Sequence, residues 1–258
     1  MAKLKRMEII DVIILGVLQG LTEFLPVSSS GHLVLGQYLL KVKSPGNTLE
    51  ILFHIGTLGS IIFVFFSDLL HILITINKKS THKLLSFIFV ATIPAVIIGF
   101  TLRNEIEILF ESVNNVGFAL LFTGLVLILS SIFKNKNTEH SLLSSMVIGL
   151  GQALAIIPGI SRSGITITLA LFFGFSPKES AKFSFLLSIP VIAGAGILGL
   201  QDIQSSEIFS LDIIIIALFS SFFTGVIALR VLIKLLELGK FYIFGIYCIC
   251  LGLVFTFV

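Results

Sequence analysis

Charged residues are scarce in this 258-residue chain, and their scarcity excludes a soluble globular protein. Asp, Glu, Lys and Arg together make up only 12% of the sequence, apolar residues make up 56%, and the mean hydropathy is +1.11. A soluble domain of this length could not bury so much apolar surface, whereas a lipid bilayer covers it. The net charge of +3 is dispersed, without a long basic run, so nucleic acid is not an expected partner. We therefore expect a polytopic membrane protein.

Cysteine is scarce as well, which excludes a disulfide framework and a cysteine-based metal site. The chain has two cysteines, Cys248 and Cys250. Residues two apart on a helix lie on different faces, so these two are unsuited to pair with each other. We expect both to be small packing residues of a membrane helix.

Long apolar runs are abundant, and six of them reach the length of a membrane span, about 20 residues with about 17 as a lower limit. They are 49–66, 84–100, 116–133, 180–200, 212–236 and 241–258. Segment 67–82 mixes Asp68, His71, Lys78 and Lys79 with leucine and isoleucine, so we expect it to lie at the membrane interface. We predict an all-α protein whose single integral membrane domain covers residues 1–258.

Two serine- and glycine-containing segments resemble each other at a constant offset of 133 residues, from Gly16 to Gly149. They read GVLQGLTEFLPVSSSGH from residue 16 and GLGQALAIIPGISRSG from residue 149. Pro26 and Pro158 interrupt apolar runs that are too short to span, and proline ends a helix. Because irregular backbone at membrane depth must be buried or line a wet cavity, each segment predicts a re-entrant hairpin of two half-helices. A pair of short crossing helices is the alternative.

The number of spans between the two motifs predicts how the hairpins face the membrane. Each hairpin returns to its own side, and three predicted spans lie between them, so they enter from opposite faces. If each hairpin is instead two crossings, this parity is unchanged. We therefore predict an inverted-topology repeat, in which each half is a re-entrant hairpin plus three transmembrane helices. Repeat 1 covers about 7–133 and repeat 2 about 141–258, and their broken helices meet near the midplane.

The distribution of Lys and Arg between the loops predicts the orientation. One side receives six of them: Lys3, Lys5, Arg6, Lys41, Lys43 and Arg103. The other side receives ten: Lys78, Lys79, Lys83, Lys134, Lys136, Lys178, Lys182, Arg230, Lys234 and Lys240. We expect the ten-charge side to face the cytoplasm and both termini to lie outside, although the basic N-terminus favours the reverse.

Both motifs supply groups that bind anions. We expect half-helices to begin near Gly31 and Gly164, and a helix N-terminus presents unpaired N–H groups with partial positive charge. Serine hydroxyls add donors, and Arg162 offers a planar fork for a phosphate. Two such helix ends with Arg162 between them suit a phosphate or a diphosphate. The residues predicted to bind it are Ser28, Ser30, Gly31, Ser161, Arg162, Ser163 and Gly164.

Glu23 is the acid of the first motif, and it lies four residues after Gln19 on the same helix face. A carboxylate inside a membrane is costly and marks a functional candidate. Beside a diphosphate it would repel the ligand, so we expect a divalent cation, bound by Glu23 and Gln19, to lie between them. A general-base role for Glu23 and a structural ion pair with Arg162 are the alternatives. His32 can donate to an oxyanion or move a proton near neutral pH.

The two motifs are chemically unequal at their aligned positions. Glu23 aligns with Ile156, Ser29 with Arg162, and His32 with Ile165. One copy supplies a carboxylate, a hydroxyl and an imidazole, and the other supplies a guanidinium. The duplication therefore predicts two halves of one phosphate site. His54, inside a predicted span, is expected to pack or to form a hydrogen bond.

The stretches QGLTEFLPVSSSGH and PGISRSGIT closely resemble the two signatures of the bacterial undecaprenyl-diphosphate phosphatase family, the BacA-type enzymes. Both signatures occur in the family's order and separation, and the resemblance extends over essentially the whole chain. It implies hydrolysis of undecaprenyl diphosphate to the monophosphate, which recycles the lipid carrier for the cell wall and gives bacitracin resistance. It further implies a bacterial cytoplasmic (inner) membrane location, an active site open to the outer face, and Mg²⁺ or Ca²⁺ as cofactor.

Carried over to this chain, the resemblance implies catalytic roles for Glu23, Ser29, His32 and Arg162. It adds Thr166 to the phosphate-binding set and places the family's acidic pair on Gln19 and Glu23. Because the first position is Gln, Glu23 is the only carboxylate of the two motifs. Ser29 is favoured as the nucleophile or as a water-positioning group, with attack by His32 or by a water activated by Glu23 left open.

The alternative to an enzyme is a membrane transporter or lipid flippase, because inverted repeats with broken helices are also a plan of transporters. A passive channel is a third hypothesis. The one protein partner that we expect is a second copy of the chain, in a homodimer.

Overall fold

The computed structural model describes residues 8–42, 48–102, 113–133, 138–201 and 210–256. Within these ranges the chain forms eleven α-helices and no β-strand. They are α1 (Ile9–Phe24), α2 (Ser29–Leu40), α3 (Thr48–Val64), α4 (Phe66–Ile74), α5 (Lys79–Thr101), α6 (Val113–Leu129), α7 (Leu142–Leu154), α8 (Arg162–Phe172), α9 (Pro177–Gln201), α10 (Leu211–Glu237) and α11 (Tyr242–Thr256). Several residues of the charge count lie outside the described residues: Lys3, Lys5, Arg6, Lys43, Arg103, Lys134 and Lys136.

Four of the helices are long and apolar enough to cross a membrane: α5, α6 with a short 3₁₀ extension to Ile132, α9 and α10. Helices α3 and α4 pass the same criterion only as a pair, and they bend by 70° at their junction. Helix α11 is apolar but has 15 residues, so the predicted span 241–258 is shorter within the described part of the chain. The described residues therefore hold four spans, or five with the bent pair, where six were predicted. The multi-pass membrane class is confirmed.

The bend after α3 corrects the predicted span 49–66. Helix α3 ends at Val64, and α4 carries the chain away at the 70° angle. On α4, Asp68 forms an ion pair with Lys182 of α9, while Phe66 and Leu73 of the same helix are exposed. A helix that combines polar contacts with exposed apolar side chains is compatible with a membrane interface, and the interfacial position of segment 67–82 stays a prediction.

Both motifs lie between two short helices, as the prolines predicted. Helix α1 ends at Phe24 before Pro26, and α7 ends at Leu154 before Pro158. Helices α2 and α8 begin two residues earlier than predicted, at Ser29 and Arg162 instead of Gly31 and Gly164. The reason is N-capping, because the hydroxyls of Ser28 and Ser161 accept hydrogen bonds from the N–H groups of those two glycines.

Each hairpin packs against a long helix from the other predicted repeat. Helix α1 packs along α10, and α7 packs along α5. Helices α6 and α11 also pack together closely, since a Cβ added at Gly245 would lie 2.8 Å from the carbonyl oxygen of Gly124. These contacts hold both hairpins against the long helices. The inversion of the repeats across a membrane, and their boundaries, stay predictions.

Candidate functional site

The two motif loops are in direct contact, and Ser28 makes the connection. Its hydroxyl oxygen accepts hydrogen bonds from the backbone N–H groups of Gly31 (3.3 Å) and Gly159 (3.1 Å). Ser28 is buried and has a φ of +69°, in the left-handed region that serine rarely adopts. Gly159 also has a positive φ, +96°, and a Cβ there would lie 2.6 Å from that of Ala119. The loops are therefore fixed to each other at a crowded point where only glycine fits one side.

Thr123 of α6 supports the second loop and was not singled out by the sequence analysis. Its hydroxyl oxygen accepts from the N–H of Ser161 at 3.1 Å, and the hydroxyl donates to the carbonyl oxygen of Gly159 at 2.9 Å. One hydroxyl thus satisfies two backbone groups that would otherwise be buried without partners. A threonine within an apolar span was the only signal for this role, and such threonines are common packing residues.

Glu23 and Arg162, 139 positions apart in the chain, form a buried ion pair across the two hairpins. Arg162 Nη2 donates to Glu23 Oε1 at 2.5 Å, and the two side chains are only 16% and 6% exposed. The other carboxylate oxygen, Oε2, accepts from the Ser29 hydroxyl at 2.7 Å and from Gln19 Nε2 at 3.1 Å. The structure therefore brings together the four predicted residues Gln19, Glu23, Ser29 and Arg162.

Two polar atoms beside this ion pair are buried and lack a hydrogen-bond partner among the described residues. One is the acceptor Gln19 Oε1, and the other is the donor Arg162 Nη1. Buried polar atoms are nearly always hydrogen-bonded in folded proteins, so each unpartnered atom calls for a missing partner. An unpartnered oxygen suits a cation or a donor, and an unpartnered guanidinium N–H suits an anion.

Among the described residues, no group of three or more His, Cys, Asp or Glu side chains could hold a metal ion alone. Glu23 and the unpartnered Gln19 Oε1 nevertheless supply oxygen atoms, the donors that Mg²⁺ and Ca²⁺ prefer. Magnesium is commonly bound by one or two carboxylates together with substrate phosphates and water. The residues present therefore fit an ion that is shared with a phosphorylated ligand.

His54 of α3 is a further member of the site that the sequence analysis treated as a packing or hydrogen-bonding residue. Gln19 Nε2 lies 3.1 Å from His54 Nδ1, and that nitrogen is 3.7 Å from Glu23 Oε2. The Gln19 amide has two N–H donors, so it donates one to Glu23 and the other to His54. These two bonds fix the orientation of the amide and leave its oxygen unpartnered.

His32 forms its hydrogen bonds away from the carboxylate. Its Nδ1 lies 2.8 Å from the carbonyl oxygen of Ser28, and its Nε2 lies 2.7 Å from the hydroxyl of Tyr247 on α11. Tyr247 was not singled out by the sequence analysis. The imidazole is buried, and its two nitrogens connect the first motif loop to α11.

The other predicted phosphate-binding residues form contacts within and behind the loops. The Ser161 hydroxyl oxygen accepts from the N–H of Gly164, and Ser163 Oγ lies 3.4 Å from Ser161 Oγ. The Thr166 hydroxyl donates to the carbonyl oxygen of Arg162 at 2.8 Å and lies 2.6 Å from Ser184 Oγ. In the first loop, the half-buried Ser30 has its Oγ 3.3 Å from that of Ser28. Contact of these residues with a phosphate stays a prediction.

The fold and the site define a class: a polytopic α-helical membrane protein with a buried carboxylate–guanidinium pair between two interrupted helices. Comparison with known proteins gives the family. Residues 12–254 match the family described as bacitracin resistance protein BacA, and the chain belongs to this family.

Three relatives of the chain are named undecaprenyl-diphosphatase. The protein from Halothermothrix orenii is 43% identical over 253 residues, which cover 96% of each chain. The protein from Thermosipho africanus is 40% identical over 250 residues, 95% of this chain and 98% of the relative. The protein from Carboxydothermus hydrogenoformans is 39% identical over 249 residues, 94% of each chain.

Proposed function

We propose that this protein hydrolyses undecaprenyl diphosphate to undecaprenyl phosphate and inorganic phosphate. The observation that carries the proposal is the Glu23–Arg162 pair, because the Arg162 guanidinium and the Ser29 hydroxyl both donate hydrogen bonds to the same carboxylate. The names of the relatives support the same reaction. The product is a lipid carrier for cell-wall polymers, and consumption of the diphosphate gives resistance to bacitracin.

Binding begins with an exchange of partners at Arg162. In the structure its Nη2 contacts Glu23 and its Nη1 has no partner among the described residues. A diphosphate offers paired oxygens to this planar fork, and bidentate contact with phosphate is stronger than a single hydrogen bond. The first N–H groups of α2 and α8 have no acceptor within their helices, so they add partial positive charge at the same place. The prenyl chain lies in the bilayer.

The chemical step uses the contact between Ser29 and Glu23. When Arg162 moves to the phosphate, Glu23 Oε2 is left as the acceptor for the Ser29 proton. Ser29 Oγ then forms a bond to the terminal phosphorus as the bridging P–O bond breaks, and undecaprenyl phosphate leaves. A water molecule then attacks the phosphorus of the phosphoserine. As the Oγ–P bond breaks, Glu23 returns the proton to Ser29 Oγ, and inorganic phosphate leaves with the oxygen of the water. Positioning and charge stabilisation supply most of the acceleration in phosphoryl transfer.

Glu23 and Gln19 would hold a divalent cation, Mg²⁺ or Ca²⁺, together with phosphate oxygens. When bound, this cation neutralises charge that develops on the phosphate oxygens. His54 supports Gln19 in this role, because its Nδ1 accepts one of the amide N–H groups and keeps the amide oxygen free for the ion.

The proposal includes the membrane in which the protein lies and the side to which its site opens. The charge distribution between the loops and the family resemblance favour the bacterial cytoplasmic membrane, with the site open to the outer face. A homodimer stays a prediction, which the molecular mass of the purified protein in detergent tests.

Phosphate release by the purified protein in detergent, without any gradient, tests the function. Wild-type protein is expected to release phosphate from a polyprenyl diphosphate, while a transporter, flippase or channel would bind or move the lipid without turnover. Arg162→Lys keeps the charge but loses the fork, and it is expected to lower kcat about 100-fold, the effect of removing one key donor. Arg230→Lys, on the exposed face of α10, is the matched control. Near-normal turnover of Arg162→Lys would refute the role of the fork.

A further inference from the structure

We propose that Tyr247 is a positioning residue of the phosphatase, which acts through His32 on the loop that carries Ser29. The proposal rests on the proposed function and adds a residue from the last helix of the chain to the site. It starts from three linked contacts: Tyr247 to His32, His32 to Ser28, and Ser28 to the second loop at Gly159.

The two hydrogen bonds of His32 define its protonation state. A carbonyl oxygen only accepts, so His32 Nδ1 carries a hydrogen and donates it to Ser28. Both partners of the ring are neutral, and the ring is buried, so the uncharged imidazole is favoured there. Its Nε2 then has a lone pair, which accepts the hydroxyl hydrogen of Tyr247 at 2.7 Å. Tyr247 thereby selects the tautomer in which Nδ1–H faces Ser28.

This tautomer matters because Ser28 has an unfavourable backbone conformation. A serine with a φ of +69° keeps that conformation only where its surroundings hold it. Its hydroxyl oxygen accepts from the N–H groups of Gly31 and Gly159. Its carbonyl oxygen accepts from two groups of His32, the backbone N–H at 3.1 Å and the ring Nδ1–H at 2.8 Å, and the ring makes the shorter of these two contacts. Ser28 is the N-cap of α2, and Ser29 is the first residue of that helix. The direction of the Ser29 hydroxyl therefore depends on the geometry that His32 maintains.

Helix α11 supports the first loop at two successive residues. The Tyr247 ring stacks on the His32 ring, with centroids 5.7 Å apart and planes at 15°. The next residue, Cys248, is fully buried, and its Sγ lies 3.7 Å from the carbonyl oxygen of Pro26. Tyr247 itself is 45% exposed, so general burial does not explain why its hydroxyl faces the loop. A specific hydrogen bond does.

The activity test measures kcat for single substitutions at Tyr247 and His32 and compares them with the double variant. Tyr247→Phe keeps the ring and loses the hydroxyl, and we expect kcat to fall about 10-fold, the order of a lost positioning contact, with KM and thermal midpoint unchanged. Tyr242→Phe, on the same helix and also partly exposed, is the matched control and is expected to match wild type. His32→Asn keeps a donor near Ser28 but cannot reach Tyr247. In that background, Tyr247→Phe is expected to cause no further loss.

Each outcome has a defined meaning. The proposal is overturned if Tyr247→Phe has the kcat of wild type, or if adding it to His32→Asn lowers kcat by about another 10-fold. The proposed function stands in both cases as long as the wild-type protein releases phosphate.

If wild type releases no phosphate, the function fails, and ¹⁵N-histidine spectra test the contact without any turnover. The resonances missing in His32→Asn identify His32. They are expected to report the neutral Nδ1–H tautomer, with an Nε2 signal that moves in Tyr247→Phe. An Nε2–H tautomer or an imidazolium at His32 overturns the proposal.

Discussion

Removing both charges of the Glu23–Arg162 pair separates its effect on stability from its effect on catalysis. Three variants are needed: Glu23→Gln, Arg162→Met and the double variant. Each single change leaves one charged group buried opposite a neutral side chain, because Glu23 is 6% and Arg162 16% exposed in their side chains. The double change leaves neither charge.

The expected magnitudes follow from that burial. Breaking a buried ion pair from one side costs about 3–5 kcal/mol, whereas replacing both members by neutral groups is often close to neutral. We therefore expect each single variant to lose about 3 kcal/mol and the double variant to recover most of it. Activity is expected to behave differently, since in the proposed reaction Glu23 accepts the Ser29 proton, and a positioned base contributes about 10²–10⁴ in rate. All three variants are expected to lose at least about 100-fold in kcat.

The assays are thermal unfolding in detergent and phosphate release from a polyprenyl diphosphate. Because the chain has no tryptophan, helical circular dichroism follows the unfolding. Two results would refute the reasoning. A double variant no more stable than either single variant would mean that the charges are not coupled. A double variant with near wild-type turnover would reduce the pair to a structural contact.

Three further predictions concern residues around the pair and on the membrane boundary. His54→Leu removes the acceptor that orients Gln19, so the Mg²⁺ concentration for half-maximal phosphate release is expected to rise about 10-fold or more. His54→Gln keeps an acceptor and is expected to retain most of the Mg²⁺ affinity. Thr123→Val leaves two buried backbone groups unpaired and is expected to cost about 1–3 kcal/mol of unfolding free energy, against little for the exposed Thr101→Val. Burial lowers the pKa of the loop residue His140 below its ordinary value of 6.5, so the unfolded chain binds the proton more readily than the folded chain does. The thermal midpoint is therefore expected to fall as the pH is lowered from about 7.5 to about 5.5.

Each of these three has an outcome that contradicts it. Equal Mg²⁺ dependence in the two His54 variants would mean that His54 does not support the proposed cation site. A Thr123→Val protein as stable as wild type would mean that water replaces the hydroxyl. For His140, the pH dependence should shrink in His140→Phe, whose ring suits the neighbouring Phe175 and Phe183. An unchanged dependence would assign it to other groups.

The prolines predicted the helix breaks, and the internal alignment of the two motifs predicted which of their residues meet. Pro26 and Pro158 fix where α1 and α7 end, because proline in a helix loses a donor and crowds the preceding turn. The alignment of the motifs placed Glu23 and Arg162 in one site, and the ion pair joins them. The starts of α2 and α8 were two residues off because a serine cap, not the following glycine, determines where the helix begins.

The supporting residues could not be predicted, because their roles depend on how distant helices pack. Thr123 and Tyr247 each lie in an apolar helix, where a single hydroxyl indicates a polar partner but does not identify it. Their partners are 38 and 215 positions away along the chain. The bend between α3 and α4 had no local signal either, since neither proline nor glycine lies at the junction.

The ion pair also explains how a buried arginine is tolerated at this place in the fold. Arg162 needs an anionic partner, because an unpaired buried charge is costly. Glu23 supplies that partner from the other hairpin, at the position that a phosphate would take. A ligand must therefore compete with a carboxylate that is already in place. A diphosphate, with several negative oxygens and an accompanying cation, can bind Arg162 and Glu23 at once. A phosphate diester, with one negative charge and no terminal phosphoryl group, gains little from the exchange, so under the proposed function we expect the pair to select for a diphosphate.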